Sequence, residues 1–165
     1  MEIIVASDSH GQSEFLEMIE KWHPHADLYL HCGDLEDNSF SFPHWIFVKG
    51  NNDYFAGEQM PLERVISIGS QKIFMCHSHT FPYSQREKAL AKRAEKEGCS
   101  IVCYGHTHCS SVKWINNILV LNPGSIWWPR DGKEPSYAII HIDGSKIDAK
   151  IQFQSDWPCF KKQKK

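Results

Sequence analysis

Ile101-Val102-Cys103-Tyr104-Gly105-His106-Thr107-His108 is the stretch on which the reading of this chain turns. The apolar run reads as the end of a buried strand. Gly105 then lets the backbone leave the sheet, and two histidines follow at positions i and i+2. In an extended chain, residues two apart point to the same side, about 6–7 Å from one another. That spacing suits two imidazoles serving neighbouring ions of a catalytic pair, which sit about 3.5–4 Å apart. Two histidines alone are weak evidence, so the case rests on whether other turns share their character.

Working back to the N-terminus, Glu2 to Ser7 is a β-branched run typical of a strand covered on both faces, and it ends in Asp8-Ser9-His10-Gly11. Ser13 is expected to cap a helix carrying Phe15, Leu16, Ile19 and Trp22 at helical spacing and stopping before Pro24. A second strand, Asp27 to His31, breaks into Gly33-Asp34. After an aromatic loop, a third, Trp45 to Val48, ends in Gly50-Asn51-Asn52-Asp53; Phe40, Phe42 and Trp45 read as core. Each apolar strand thus runs into a turn bearing Asp, Asn or His. In α/β sheets ligands collect beyond the carboxyl ends of strands, so these turns should converge on one edge.

The later chain changes style. Arg64–Ile68 and Lys72–Cys76 read as a hairpin around Gly69-Ser70, leading to His77-Ser78-His79. Gln85 to Glu97 is an amphipathic helix closed by Gly98. Val112–Ile115 and Ile118–Leu121 pair around Asn116-Asn117, and a last hairpin joins Tyr137–Ile142 to Lys146–Phe153 through Gly144-Ser145. Parallel-type units first and antiparallel hairpins later predict two mixed sheets packed together, with helices outside.

At 165 residues the chain fits one domain that buries about two thirds of its unfolded surface. No apolar run approaches the roughly 18 residues of a membrane span, and no signal-peptide pattern precedes the first strand, so a cytoplasmic protein is expected. A formal charge of −2 argues against a surface that grips extended nucleic acid. The one basic run, Lys161-Lys162-Gln163-Lys164-Lys165, reads as a solvated end. The six cysteines form no Cys-x-x-Cys pair and read as small apolar fillers.

The polar residues at strand ends form a set: Asp8, His10, Asp34, Asn51, His77, His106 and His108. Carboxylate and amide oxygens mixed with imidazoles suit Mn²⁺, Fe²⁺ or Zn²⁺ better than Ca²⁺ or Mg²⁺. Seven ligands are too many for one such ion. Shared between two, they leave open positions for water and substrate, which favours a two-metal catalytic site.

These residues also carry a resemblance. Asp8-x-His10, Gly33-Asp34, Gly50-Asn51, His77 and Gly105-His106-Thr107-His108, in this order, resemble the five signature blocks of the calcineurin-like metallophosphoesterases. The compact length, His77-x-His79 and Asn122-Pro123-Gly124-Ser125 with Pro129-Arg130 are similar to the small bacterial phosphodiesterase branch. The resemblance implies a four-layer α/β/β/α sandwich: two mixed β-sheets flanked by helices, a single domain over residues 1–154, with a short basic tail over 155–165. It implies two divalent ions, Mn²⁺ first, with Fe²⁺, Zn²⁺ or Ni²⁺ as alternatives. Asp8, His10, Asp34 and His108 would hold one ion, and Asp34, Asn51, His77 and His106 the other, with Asp34 bridging. A bridging hydroxide would then attack the phosphorus in line with the leaving oxygen.

One departure matters. Where the wider superfamily often has a histidine able to protonate the leaving group, this chain has Asn52, and an amide is no general acid at neutral pH. Asn52 is therefore expected to contact substrate, and His79 is the alternative proton donor, with a plain loop position as its bland reading. Arg130 could clamp a phosphate, or make a surface ion pair. For Trp127 and Trp128, core packing, a pocket rim and a subunit contact are all open.

The reading is a metal-dependent phosphodiesterase acting on small or activated phosphodiesters, with no membrane partner and homo-oligomerisation left open. The alternatives are a non-catalytic metal-binding interaction scaffold on the same fold, like the retromer's small subunit, and a phosphomonoesterase or nuclease.

Overall fold

In the computed structural model, which describes residues 1–54 and 60–161, ten strands form two five-stranded sheets. The first contains β1 (Glu2–Ala6), β2 (Leu28–His31), β3 (Trp45–Phe47), β9 (Ser136–Asp143) and β10 (Lys146–Phe153), in the order β10-β9-β1-β2-β3. The second contains β4 (Glu63–Ile68), β5 (Gln71–Cys76), β6 (Ile101–Tyr104), β7 (Ser111–Ile115) and β8 (Ile118–Asn122), in the order β4-β5-β6-β8-β7. Both sheets are mixed. β1, β2 and β3 run parallel, as do β5, β6 and β8, while hairpin partners are antiparallel.

Alternation along the strands builds three apolar layers. Ile3 and Val5 of β1, Leu30 of β2, Ile73 and Met75 of β5 and Ile101 and Cys103 of β6 meet between the sheets. The opposite face of the first sheet, with Ile4, Ala6 and Phe47, packs against Leu16 and Ile19 of helix α1 (Glu14–Trp22). The opposite face of the second, with Phe74, Val102 and Val120, packs against Leu90, Ala91 and Ala94 of α2 (Arg86–Lys96). The result is the expected helix/sheet/sheet/helix sandwich.

Some local expectations need correction. Ser13 makes no capping hydrogen bond; its backbone is already helical, and its hydroxyl is buried without a partner among the described residues. Phe42 and Trp45 are buried, but Phe40 is 73% exposed because it rides a short 3₁₀ turn on the surface. The chain stays packed past residue 154: Trp157 is fully buried beside Tyr137, ahead of a short helix, α3 (Pro158–Lys161). Lys162, Gln163, Lys164 and Lys165 of the expected tail lie outside the described residues. Among the described residues, no helix is long and apolar enough to cross a membrane.

Candidate active site

The parallel strands deliver their C-terminal loops to a common rim. β1 leads to Asp8 and His10, β2 to Asp34, β3 to Asn51, β5 to His77 and β6 to His106 and His108. All seven candidates meet there. Asp8 Oδ1 lies 3.2 Å from His108 Nε2 and 3.9 Å from His77 Nε2. Asp34 Oδ2 lies 3.4 Å from His77 Nε2 and 3.9 Å from His10 Nε2. Asn51 Oδ1 lies 3.1 Å from His77 Nε2 and 2.9 Å from His106 Nδ1. Both carboxylates therefore stand between the His10–His108 pair and His77.

The loops achieve this by unusual backbone. Of the ten non-glycine residues with positive φ among those described, Asp8, His10, Asp34, Glu36, His106 and His108 all belong to this rim. Such conformations cost on the order of 1–3 kcal/mol where the surroundings impose them, and they concentrate at functional sites. The stretch from His106 to His108 is thus not extended, as the spacing argument assumed; φ is +73° at His106 and +56° at His108. Turned apart, His106 faces Asn51 while His108 faces Asp8.

Close approach explains two glycines. A Cβ on Gly105 would come within 2.0 Å of Ser7 Oγ, and one on Gly50 within 2.1 Å of Asp34 Oδ1. The loop after β6 is further braced by Asn122, which donates to the Gly105 carbonyl and to Thr107 Oγ1. Ser125 donates to the Asp8 carbonyl at 2.8 Å and accepts from the amides of Trp127 and Trp128.

Whether these residues suit cations is decided by their lone pairs. His77 Nδ1 sits 2.7 Å from the Cys32 carbonyl, His108 Nδ1 2.6 Å from the Trp128 carbonyl, and His10 Nδ1 2.6 Å from the Glu36 carboxylate. Those partners only accept, so each Nδ1 carries the proton and each Nε2 of a neutral ring is bare. Yet His10 Nε2 and His108 Nε2 face each other at 3.2 Å, and the buried Asp8 Oδ1 accepts no hydrogen bond among the described residues. Acceptors crowded on acceptors require a proton or a cation between them. Asp8–His10–His108, Asp8–Asp34–His77 and His10–Asp34–Glu36 each bring their donor atoms within 4.8 Å, so the residues fit divalent metal.

The same crowding sets the electrostatics. Burial would raise the Asp8 carboxyl, but contact with His108 and the charge of His77 hold it below its ordinary value. Burial would lower His77, but Asp34 and then Asp8 raise it. His106 is lowered to about 4 by burial and then by His77, so its ring is neutral at pH 7.

The remaining candidates lie around this cage. Asn52 donates its backbone N–H to Asp34 Oδ1 and its amide to Oδ2, both at 2.8 Å, and so grips a candidate ligand. The His79 ring lies tilted to that of His77, centroids 5.5 Å apart, with a buried Nδ1 that has no partner among the described residues. The Arg130 guanidinium lies over the Trp128 ring at 5.8 Å, and both Trp127 and Trp128 are exposed on the rim.

Two residues escaped the sequence reading. Asp53 is buried and accepts backbone N–H groups of Asp34, Gly50 and Glu36 at 2.7–2.8 Å, tying the loop after β2 to the loop after β3. Its signal was available, since Asp53 closes the polar turn Gly50-Asn51-Asn52-Asp53. Glu36, bonded to His10, had only its place two residues after Asp34 to recommend it.

Known proteins share both fold and sequence. The chain is 35% identical over 158 residues to a probable metallophosphoesterase, YsnB, of Bacillus subtilis, covering 94% of this chain and 92% of that protein. It is 28% identical over 105 residues to the phosphodiesterase YfcE of Escherichia coli, covering 59% of this chain and 53% of that one. A conserved uncharacterized protein of Streptococcus pneumoniae, described as a predicted phosphoesterase, superposes with a TM-score of 0.84 at 36% identity over 92% of this chain and 88% of its own. Residues 1–145 match the calcineurin-like phosphoesterase superfamily domain. With that match extending from the first strand into the last hairpin, the chain belongs to the calcineurin-like phosphoesterase superfamily.

Proposed function

We propose that the chain is a two-metal phosphodiesterase for small or activated phosphodiesters. The observation that carries this reading is the set of bare imidazole nitrogens turned towards Asp8 and Asp34 at one rim. Asp8, His10, Asp34 and His108 would hold one divalent ion, and Asp34, Asn51, His77 and His106 the other. Their mixed nitrogen and oxygen donors suit Mn²⁺ first, then Fe²⁺, Zn²⁺ or Ni²⁺. Such a pair, when bound, would neutralise phosphate charge and lower the pKa of water towards neutrality.

The protein's own groups do the rest. Asn52 keeps both oxygens of Asp34 aimed, and Arg130 steadies a phosphate oxygen at the rim. His79, the candidate replacement for the missing acid, lies beside the cage, but burial, then the charge of His77, lowers its pKa, so it gives the departing oxygen little help at neutral pH. The names of the B. subtilis and E. coli relatives support a phosphoesterase and, for the second, a diester substrate. A pure binding scaffold would not need a donor at all seven positions.

The test is hydrolysis of bis-nitrophenyl phosphate by metal-stripped protein, with Mn²⁺, Ni²⁺, Zn²⁺ and Mg²⁺ returned one at a time. Mn²⁺ should restore turnover best. Asp34→Asn should abolish it while circular dichroism stays native; full activity in that variant would overturn the shared role of Asp34.

A further inference from the structure

Beside the cage, between the start of α2 and the loop after β6, opens a cleft of about 860 Å³. His106 and Thr107 line it, so it is continuous with the candidate metal ligands. Its size suits a drug-sized or nucleotide-sized ligand. The charge of its lining runs against that of the whole chain, which is −2. Arg86, Lys88, Lys113 and Arg130 face a single carboxylate, Glu87.

Glu87 is already committed. It pairs with Lys113 at 2.6 Å and accepts the hydroxyls of Tyr104 and Ser111. Among the described residues, Arg86, Lys88 and Arg130 have no carboxylate partner. Arg86 makes only a long bond, 3.4 Å, from Nε to the Pro82 carbonyl. Three cations without a carboxylate partner among the described residues thus line a cleft next to the proposed site of phosphoester cleavage. Tyr83, 96% exposed, also lines it, and its ring makes no aromatic contact among the described residues.

We infer that this cleft is the specificity subsite of the enzyme, and that it takes the second phosphate and a base of a short nucleotide: a dinucleotide bearing a terminal phosphate. The inference rests on the phosphodiesterase reading of the adjoining cage. The scissile diester sits at the cage, the terminal phosphate is bound by Arg86 with Lys88, and a base stacks on Tyr83. A long strand is disfavoured because the chain as a whole carries a formal charge of −2. A simple dialkyl phosphate would leave the three cations and the ring unused.

The experiment compares the dinucleotide pTpT, with its 5′-phosphate, with TpT, which lacks it. Calorimetry with metal withheld should give about tenfold tighter binding of pTpT, as expected for one charge-assisted contact. Arg86→Ala should bring the ratio of affinities near one, and Arg86→Lys should retain most of it. Equal affinities in the unaltered protein, or a ratio untouched by Arg86→Ala, overturn the subsite. If the tenfold preference appears but neither dinucleotide is cleaved with Mn²⁺ present, the subsite stands and the phosphodiesterase reading falls.

Discussion

His10 Nδ1 lies 2.6 Å from Glu36 Oε1, and this contact decides which nitrogen His10 turns towards the cage. A carboxylate behind an imidazole fixes the tautomer and raises the basicity of the other nitrogen. Glu36→Ala should weaken binding of the first Mn²⁺ about 10–100-fold, read by calorimetric titration, with unchanged circular dichroism. Glu36→Gln keeps an acceptor and should fall between the two. Identical Mn²⁺ affinity in all three proteins would reduce the contact to an incidental surface pair.

Asp53 holds three backbone amides with two oxygens, and an amide side chain cannot do the same. In Asp53→Asn, at least one of the N–H groups of Asp34, Gly50 and Glu36 would face an NH₂ group. The expected loss is about 1–3 kcal/mol in urea unfolding, together with lowered turnover, because Asp34 shifts with its loop. Unaltered stability would mean that the loops are held by something else.

Gly105→Ala forces a methyl group towards Ser7 Oγ and Asp8 Oδ2, which a Cβ would approach to 2.0 and 2.9 Å. Both side chains are fully buried, so neither can swing into solvent. Destabilisation of roughly 1–3 kcal/mol should accompany loss of metal binding. A variant that binds Mn²⁺ normally would show that this loop has more give than its contacts imply.

His31 is fully buried, accepts from the Gly33 amide at Nδ1 and contacts Ser9 Oγ through Nε2. Burial lowers its pKa below the ordinary value. The unfolded chain, with a pKa near 6.5, therefore binds the extra proton first as pH falls. The associated stability is intact above about pH 6.5 and is lost below it, down to the lowered folded value, at up to about 1.4 kcal/mol per pH unit. With chelator present, His31→Gln should flatten this part of the stability-versus-pH curve by one proton. An unchanged slope would assign it to other groups.

With Asn52 where an acid would stand, the departing oxygen receives little help. Nitrophenyl esters should turn over at least about a hundredfold faster than alkyl esters, the smaller end of what general acid catalysis contributes. Asn52→His should narrow the gap; a gap already absent in the unaltered protein would point to another donor.

Much of this architecture is legible in the chain because strand and punctuation coincide. Asn116-Asn117 adopts positive φ at both residues as a tight hairpin requires, and each parallel strand announces its loop with Asp, Asn or His. The layer arrangement follows from residues such as Ile3 and Ile4, adjacent in sequence yet buried in different cores. What escaped notice depends on through-space neighbours. Asp53 and Glu36 act on residues 17–26 positions away, and no local period encodes that. The left-handed turn at His106 was missed for a related reason: a histidine pays for that conformation only when Asp8, Asn51 and Gly105 surround it.

The cage draws Asp8, His10, Asp34 and Asn51 from one sheet and His77, His106 and His108 from the other. Between those sheets the packed side chains are mostly apolar, and apolar contact is not directional. A cation gripped from both sides would act as a rivet through the laminate, so the proposed reaction centre would double as a fastener that keeps the two halves in register.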